Sequence, residues 1–122
     1  MSKYVIRSVP SGIKFDLKAS NGQIIATSEV YTTQAACRKG IASIQKNAPG
    51  AHLENQTEPD CRVLPHPKFE LFQDRSGKYR FRLKATNGQV IAVSEGYATK
   101  SGCLHGIESV KKNAQTAQIQ SE

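Results

Sequence analysis

Residues 15–48 lie over residues 81–114 at a constant offset of 66 without a gap, and 20 of the 34 paired positions are identical. Asn21-Gly22-Gln23 matches Asn87-Gly88-Gln89, Ser28-Glu29 and Tyr31 match Ser94-Glu95 and Tyr97, and Cys37 and Gly40-Ile41 match Cys103 and Gly106-Ile107. Upstream, Gly12 aligns with Gly77 after a shift of one. Chance does not produce that density, so the chain reads as a tandem duplication of a unit of roughly 55 residues. A unit that small buries too little surface to be comfortably stable alone. The expectation is one pseudo-twofold domain over 1–122, with a first repeat at 1–56, a linker at 57–67 and a second repeat at 68–122 whose core is shared with the first.

Each repeat carries the same local signals. Tyr79, Phe81, Leu83 and Ala85 alternate with Arg80, Arg82 and Lys84, the period of a strand with one buried face; Phe15, Leu17 and Ala19 alternate with Lys14, Asp16 and Lys18 in the same way. Asn-Gly then precedes a second apolar run, Gln23 to Thr27 or Gln89 to Val93, which predicts an antiparallel hairpin with a tight two-residue turn. A shorter strand comes first, Lys3 to Arg7 and Lys68 to Phe72, turning Tyr4 and Ile6, or Phe69 and Leu71, towards the core.

The period then becomes helical. Thr33 and Thr99 are placed as N-caps. Cys37, Ile41, Ile44 and Ala48, and likewise Cys103, Ile107, Val110 and Ala114, recur at spacings of four, three and four. Gly40 and Gly106 stand beside those stripes; mid-helix glycine costs about 1 kcal/mol relative to alanine, so its presence in both repeats predicts close approach of helix to sheet. Residues 51–56 and 116–120 each suit a last strand. The fold class is therefore α+β: a tandem repeat of β-β-β-α-β units forming one mostly antiparallel sheet with two helices on one face.

The repeated motif resembles the YegP-like family of small tandem-repeat proteins of uncharacterised function. The second repeat carries it as Phe81-x-Leu83-x-Ala85-x-Asn87-Gly88-x-x-Ile91-Ala92-x-Ser94-Glu95-x-Tyr97, followed by Cys103-x-x-Gly106-Ile107-x-Ser109-Val110-Lys111-x-Asn113-Ala114. The first keeps it with Val30 beside the glutamate and Ile44-Gln45 in place of Val110-Lys111. What the resemblance implies is the fold, one continuous sheet whose final strands are exchanged between repeats. It supplies no catalytic residues.

The chemistry of individual residues adds little towards an enzyme. The three cysteines form no Cys-x-x-Cys pair, and Cys103-x-His105 would point two ligands in different directions from a helix, so the zinc signal is poor. Cys37 and Cys103 read as small buried hydrophobes and Cys61 as an exposed thiol. His52, His66 and His105 have no counterparts in the other repeat and no partner for acid–base work. Phosphate-binding glycine loops are absent. Neither a catalytic residue, a cofactor nor a metal is expected. Glu29 and Glu95 admit two readings: symmetric ligands of a binding surface, or carboxylates held near the positive end of the following helix, with Tyr31 and Tyr97 packed under the turn.

Charge supplies the functional expectation. Seventeen Lys and Arg stand against ten Asp and Glu. Residues 61–122 hold ten basic and five acidic groups against seven and five in residues 1–60, so a partner that reads charge should prefer the second half. Lys14, Lys18, Arg80, Arg82 and Lys84 project from the non-core face of the central strands and define the expected binding surface. Two kinds of partner follow: nucleic acid held through its phosphates, or a protein docked on the open face or edge, as for a stress-related accessory protein. Aromatic interleaving is thin, with Phe72 the one outward strand aromatic. No apolar stretch approaches a membrane span and no secretory signal opens the chain, so a cytoplasmic location is expected; a monomer is expected because the duplication supplies the half that a single-copy relative would obtain by dimerising.

Overall fold

The computed structural model describes residues 1–122. In chain order its elements are β1 (Lys3–Val9), β2 (Gly12–Lys18), β3 (Ile24–Thr27), α1 (Gln34–Asn47), β4 (His52–Asn55), β5 (Lys68–Gln73), β6 (Tyr79–Lys84), β7 (Val90–Val93), α2 (Lys100–Asn113) and β8 (Gln118–Ser121). All eight strands form one sheet in the order β4-β5-β6-β7-β3-β2-β1-β8. Two hairpin-linked triplets meet at the centre through β3 and β7. β4 runs parallel to β5, and β8 runs parallel to β1. The last strand of each half thus lies beside the first strand of the other half.

Both helices pack on one face. The alternating apolar residues of the strands and the helix stripes join in one buried cluster that includes Tyr4, Phe15, Leu17, Phe69, Phe81, Leu83, Ile41, Ile44, Ile107 and Val110. Each helix touches strands of both halves, α1 on β2 and β7, α2 on β6 and β3. Tyr4, buried in β1, donates its hydroxyl to the Ala114 carbonyl at the end of α2 (2.6 Å), satisfying a C-terminal carbonyl that has no partner within the helix. Both helices start as the sequence predicts: Thr33 Oγ1 accepts the Ala36 N–H and Thr99 Oγ1 accepts the Gly102 N–H.

Two local expectations change. The Asn-Gly turn is not a two-residue turn. Gly22 and Gly88 have positive φ while Asn21 and Asn87 do not, and the Ala19 N–H reaches Gln23 O across three loop residues. This is a type I turn closed by a left-handed glycine, and each asparagine side chain instead accepts the N–H two residues on, at 3.0 Å. The upstream glycines also align differently. The extra residue of the second half lies in the Asp74–Lys78 turn, where Gly77 has φ 89°, so at the strand level Gly12 stands where Lys78 does.

That second alignment exposes a size exchange. A Cβ on Gly12 would strike the Tyr31 carbonyl oxygen and come within 2.8 Å of Val30 Cγ1. A Cβ on Gly96 would come within 2.9 Å of Lys78 Cδ. Gly12 with Val30 and Lys78 with Gly96 place one small and one large residue in the same space, in opposite order.

Candidate functional site

On the face away from the helices, one row crosses the entire sheet: Glu54, Glu70, Arg82, Val93, Thr27, Asp16, Val5 and Gln120 stand opposite one another on successive strands. The row decides the fate of the basic stripe. Arg82 pairs with Glu70, Lys84 reaches the same carboxylate at 3.3 Å, and Arg80 pairs with Asp74 at 2.6 Å. Arg82 also covers the Phe72 ring, its guanidinium carbon 4.5 Å from the centroid, which occupies the one outward aromatic. Of the five expected binding residues, Lys14 and Lys18 on β2 have no ion pair, and Arg80, Arg82 and Lys84 on β6 are each held by an acid. The charge surplus of the second half is therefore largely compensated on this face.

Glu70, which holds Arg82 and Lys84, is itself buried with Glu54 beside it, whereas Asp74 at the turn is part-exposed. Lys68 lies beneath, its Nζ 2.8 Å from Glu54 Oε1 and 3.4 Å from Glu70 Oε2. The linker closes over this end, where the Leu64 N–H donates to Glu54 Oε1. Burial alone would raise the Glu54 carboxyl, but the Lys68 ammonium, the Gln56 amide and the Leu64 N–H outweigh it and hold its pKa at about 2. Burial opposes ionisation of Glu70 as well, and Arg82 and Lys84 bring its pKa below the ordinary value. In the first half a simpler pairing stands in the same place: Asp16 accepts from Arg7 (2.8 Å) and from the Thr27 hydroxyl (2.7 Å).

The helix layer is different. α1 has no acidic residue and α2 has only Glu108. Arg38, Lys39, Lys46 and Lys112 are exposed and make no ion pair; Lys100 contacts Glu58 at 3.4 Å, and Lys111 lies 5.9 Å from the Phe69 ring centre. Grooves cut this layer where a helix of one half meets a hairpin of the other. Along α1 a cleft of about 330 Å³ is lined by Lys39, Ser43, Lys46 and Asn47 on the helix and by Thr86 and Asn87 on the opposite turn. Its counterpart along α2, about 430 Å³, has His105, Ser109, Lys112 and Asn113 facing Ser20 and Asn21, with Glu108 added.

The repeated Ser-Glu-x-Tyr segment contributes to both structure and groove. Ser28 Oγ accepts the Phe15 N–H and donates to Glu29 O; Ser94 does the same with Phe81 and Glu95. The tyrosine rings stack on Phe15 and Phe81. They also explain the helix glycines: a Cβ on Gly40 would overlap the Tyr31 hydroxyl and lie 2.7 Å from Cζ, and Gly106 meets Tyr97 in the same way. Glu29 and Glu95, in contrast, are exposed, form no ion pair and precede the helix caps. Glu29 and Tyr31 line a groove with Gln89, Val90 and Ile91 of the other half, and Glu95 and Tyr97 line one with Gln23, Ile24 and Ile25. The α1 cleft continues into the first of these past Gly40.

The remaining candidates do not converge. Cys37 and Cys103 are buried, and burial pushes the Cys103 thiol up to about 11; Cys61 is exposed. His52, His66 and His105 are exposed and lie on separate elements. No group of three or more His, Cys, Asp or Glu side chains comes together as a metal site, and no helix is long and apolar enough to cross a membrane. The grooves were not read from the sequence because each takes its walls from both halves. The signal was present in the polar residues identical in both halves (Gln23 and Gln89, Glu29 and Glu95, Lys46 and Lys112) that no strand or cap requires.

Comparison with known proteins bears on the fold. The family described as a domain of unknown function (DUF1508) matches twice, over residues 12–54 and 74–120. The solution NMR structure of YegP from Escherichia coli, a protein of unknown function, superimposes with a TM-score of 0.79 at 34% identity, covering 99% of this chain and 92% of that one. That of a UPF0339 protein from Shewanella oneidensis gives 0.80 at 30% identity, covering 98% and 90%. A UPF0339 protein of Treponema denticola is 64% identical over 52 residues, which are 43% of this chain and 90% of that protein.

Proposed function

The chain belongs to the YegP-like family, whose domain (DUF1508) has no known function, and from that premise we propose that it is a non-catalytic binding module acting through the inter-half grooves of its helix layer. The observation that carries this reading is that polar residues retained in both halves, yet not consumed by the fold, line those grooves. We take the chain as a tandem duplication that works as one pseudo-twofold domain and a monomer in the cytoplasm, the second half supplying what a single-unit relative would obtain from a partner. The test is a ¹⁵N–¹H correlation screen against mixtures of small polar metabolites, peptides and oligonucleotides. Saturable shifts confined to residues 39–47 and 86–91, or to their counterparts, are expected. A screen with no saturable shift in the helix layer refutes the reading.

A second reading keeps the sheet face and nucleic acid. Lys14 and Lys18, with Lys3 beside them across β1, leave positive charge in the first half that no acid pairs. It predicts oligonucleotide binding that weakens linearly in log salt and is lost with Lys14→Glu/Lys18→Glu; unchanged anisotropy at low salt refutes it. A protein partner would instead use the sheet edges, where Leu53 of β4 and Ile119 of β8 are each 40% exposed.

A further inference from the structure

The two clefts share a frame but not a charge, and we infer that the α1 cleft is a binding site for a small phosphomonoester, one per chain. The inference rests on the groove reading above and names the ligand class for one groove. Two lysines seven residues apart, Lys39 and Lys46, stand on the same side of α1 two turns from one another, and no carboxylate is among the residues lining the cleft. Between them lie neutral groups suited to phosphate oxygens. Ser43 presents a hydroxyl and the opposite turn presents the Asn87 amide, while the Thr86 hydroxyl, its proton committed to Asn47, shapes the wall. Asn47 fixes this wall: it donates to Ser43 O and Oγ (2.8 and 3.1 Å), and its Oδ1 accepts from the Thr86 hydroxyl at 3.0 Å. Helix and turn from opposite halves are thereby held in one arrangement before any ligand arrives. A cleft of about 330 Å³ is at the small end of ligand sites.

One effect opposes an anion here. The cleft follows the C-terminal half of α1, where the helix dipole places roughly half a negative charge. Two full positive charges outweigh it, and Lys46 itself lies in the last turn. The other cleft provides the internal control. There Glu108 replaces Ala42 and His105 replaces Lys39, while Ser109, Lys112 and Asn113 are retained. Exchanging two residues thus takes the cleft from cationic to close to neutral; the opposite turn differs as well, with Ser20 in place of Thr86 and no bond from it to Asn113, which bonds only Ser109. The four positions are on helix surfaces, so they can be altered without touching the core.

The experiment titrates the ¹⁵N-labelled full chain with inorganic phosphate and with ribose 5-phosphate, using chloride at matched ionic strength as the reference. Saturable shifts are expected at Lys39, Ser43, Thr86 and Asn87 and not at Ser109 or Ser20. Ribose 5-phosphate should bind more tightly than phosphate alone; equal affinities would reduce the assignment to a free-anion site and overturn the phosphomonoester. Ala42→Glu should weaken binding at least fivefold, and Lys39→Ala/Lys46→Ala should abolish it. The reverse exchange, Glu108→Ala with His105→Lys, should create a second set of saturable shifts at Ser109 and Ser20 and raise the stoichiometry from one to two. Shifts that follow ionic strength, that are equal in the two clefts, or that ignore Ala42→Glu overturn the inference. If phosphate fails while the metabolite screen still gives saturable shifts in this groove, the ligand class falls and the groove reading stands.

Discussion

Replacing Lys68 with methionine removes the one cation that pairs with Glu54. The side chains of Lys68, Glu54 and Glu70 are 4%, 4% and 5% exposed, so none of the three charges reaches water unless the groups packed around them move. Charges 2.8 Å apart attract by roughly 6 kcal/mol at an effective dielectric of about 20. Desolvation of both ions offsets much of that, and removing one partner of such a buried pair costs about 3–5 kcal/mol. The lower end applies, because Glu54 keeps the Gln56 amide and the Leu64 N–H, and Glu70 keeps Arg82 and Lys84. Lys68→Met should therefore lose about 3 kcal/mol at pH 7, near 10 °C in Tm for a chain of this size. The pH dependence is fixed by sign. In the parent the Glu54 pKa is depressed from 4.5 to about 2, so its contribution is complete above pH 4.5 and is lost as the pH falls towards 2. In the variant burial acts on Glu54 without the ammonium, its pKa rises, and protonation relieves the buried charge. The difference between parent and variant should then shrink markedly between pH 7 and pH 3, and Glu54→Gln should recover at least half of it. Urea unfolding at the two pH values measures this. A loss below 1 kcal/mol at pH 7, or the same loss at both, would refute the account of the buried cluster.

Two further perturbations test close packing within each half. Gly40→Ala should destabilise by about 1–3 kcal/mol through overlap with Tyr31, and Tyr31→Leu in that background should show a coupling above 1 kcal/mol in a double-mutant cycle; additive losses would mean the glycine has another reason. Gly96→Val should cost about 1–2 kcal/mol against Lys78, and adding Lys78→Gly, which transplants the Gly12–Val30 order into the second half, should restore part of it in thermal unfolding.

The elements were legible because their signals are local. Alternation through Tyr79–Ala85, the stripe Cys37, Ile41, Ile44 and Ala48, and the threonine caps each depend on neighbours within a few residues. The fate of the basic stripe was not, because its partners come from elsewhere. Glu70 meets Arg82 only through the β5–β6 register, and Glu54 reaches Lys68 only because β4 lies on β5. The first of these could have been read, since Lys68, Glu70 and Phe72 occupy the outward positions of a strand that a single turn connects to Arg80, Arg82 and Lys84. The second required the strand order of the whole sheet. The turn chemistry was misjudged for a smaller reason: asparagine at positive φ was not needed once Gly22 alone could close the loop and Asn21 could accept a backbone N–H.

The grooves, the shared core and the linker over Glu54 all depend on each half completing the other, and that is open to one direct measurement. In a solution NOE experiment, β4 beside β5 predicts cross-strand contacts from Leu53 and Glu54 to Phe69 and Glu70, and β8 beside β1 predicts them from Ile119 and Gln120 to Tyr4 and Val5. Contacts from Leu53 to Tyr4 and from Ile119 to Phe69 would instead place each last strand on its own half, and would contradict the account at its root.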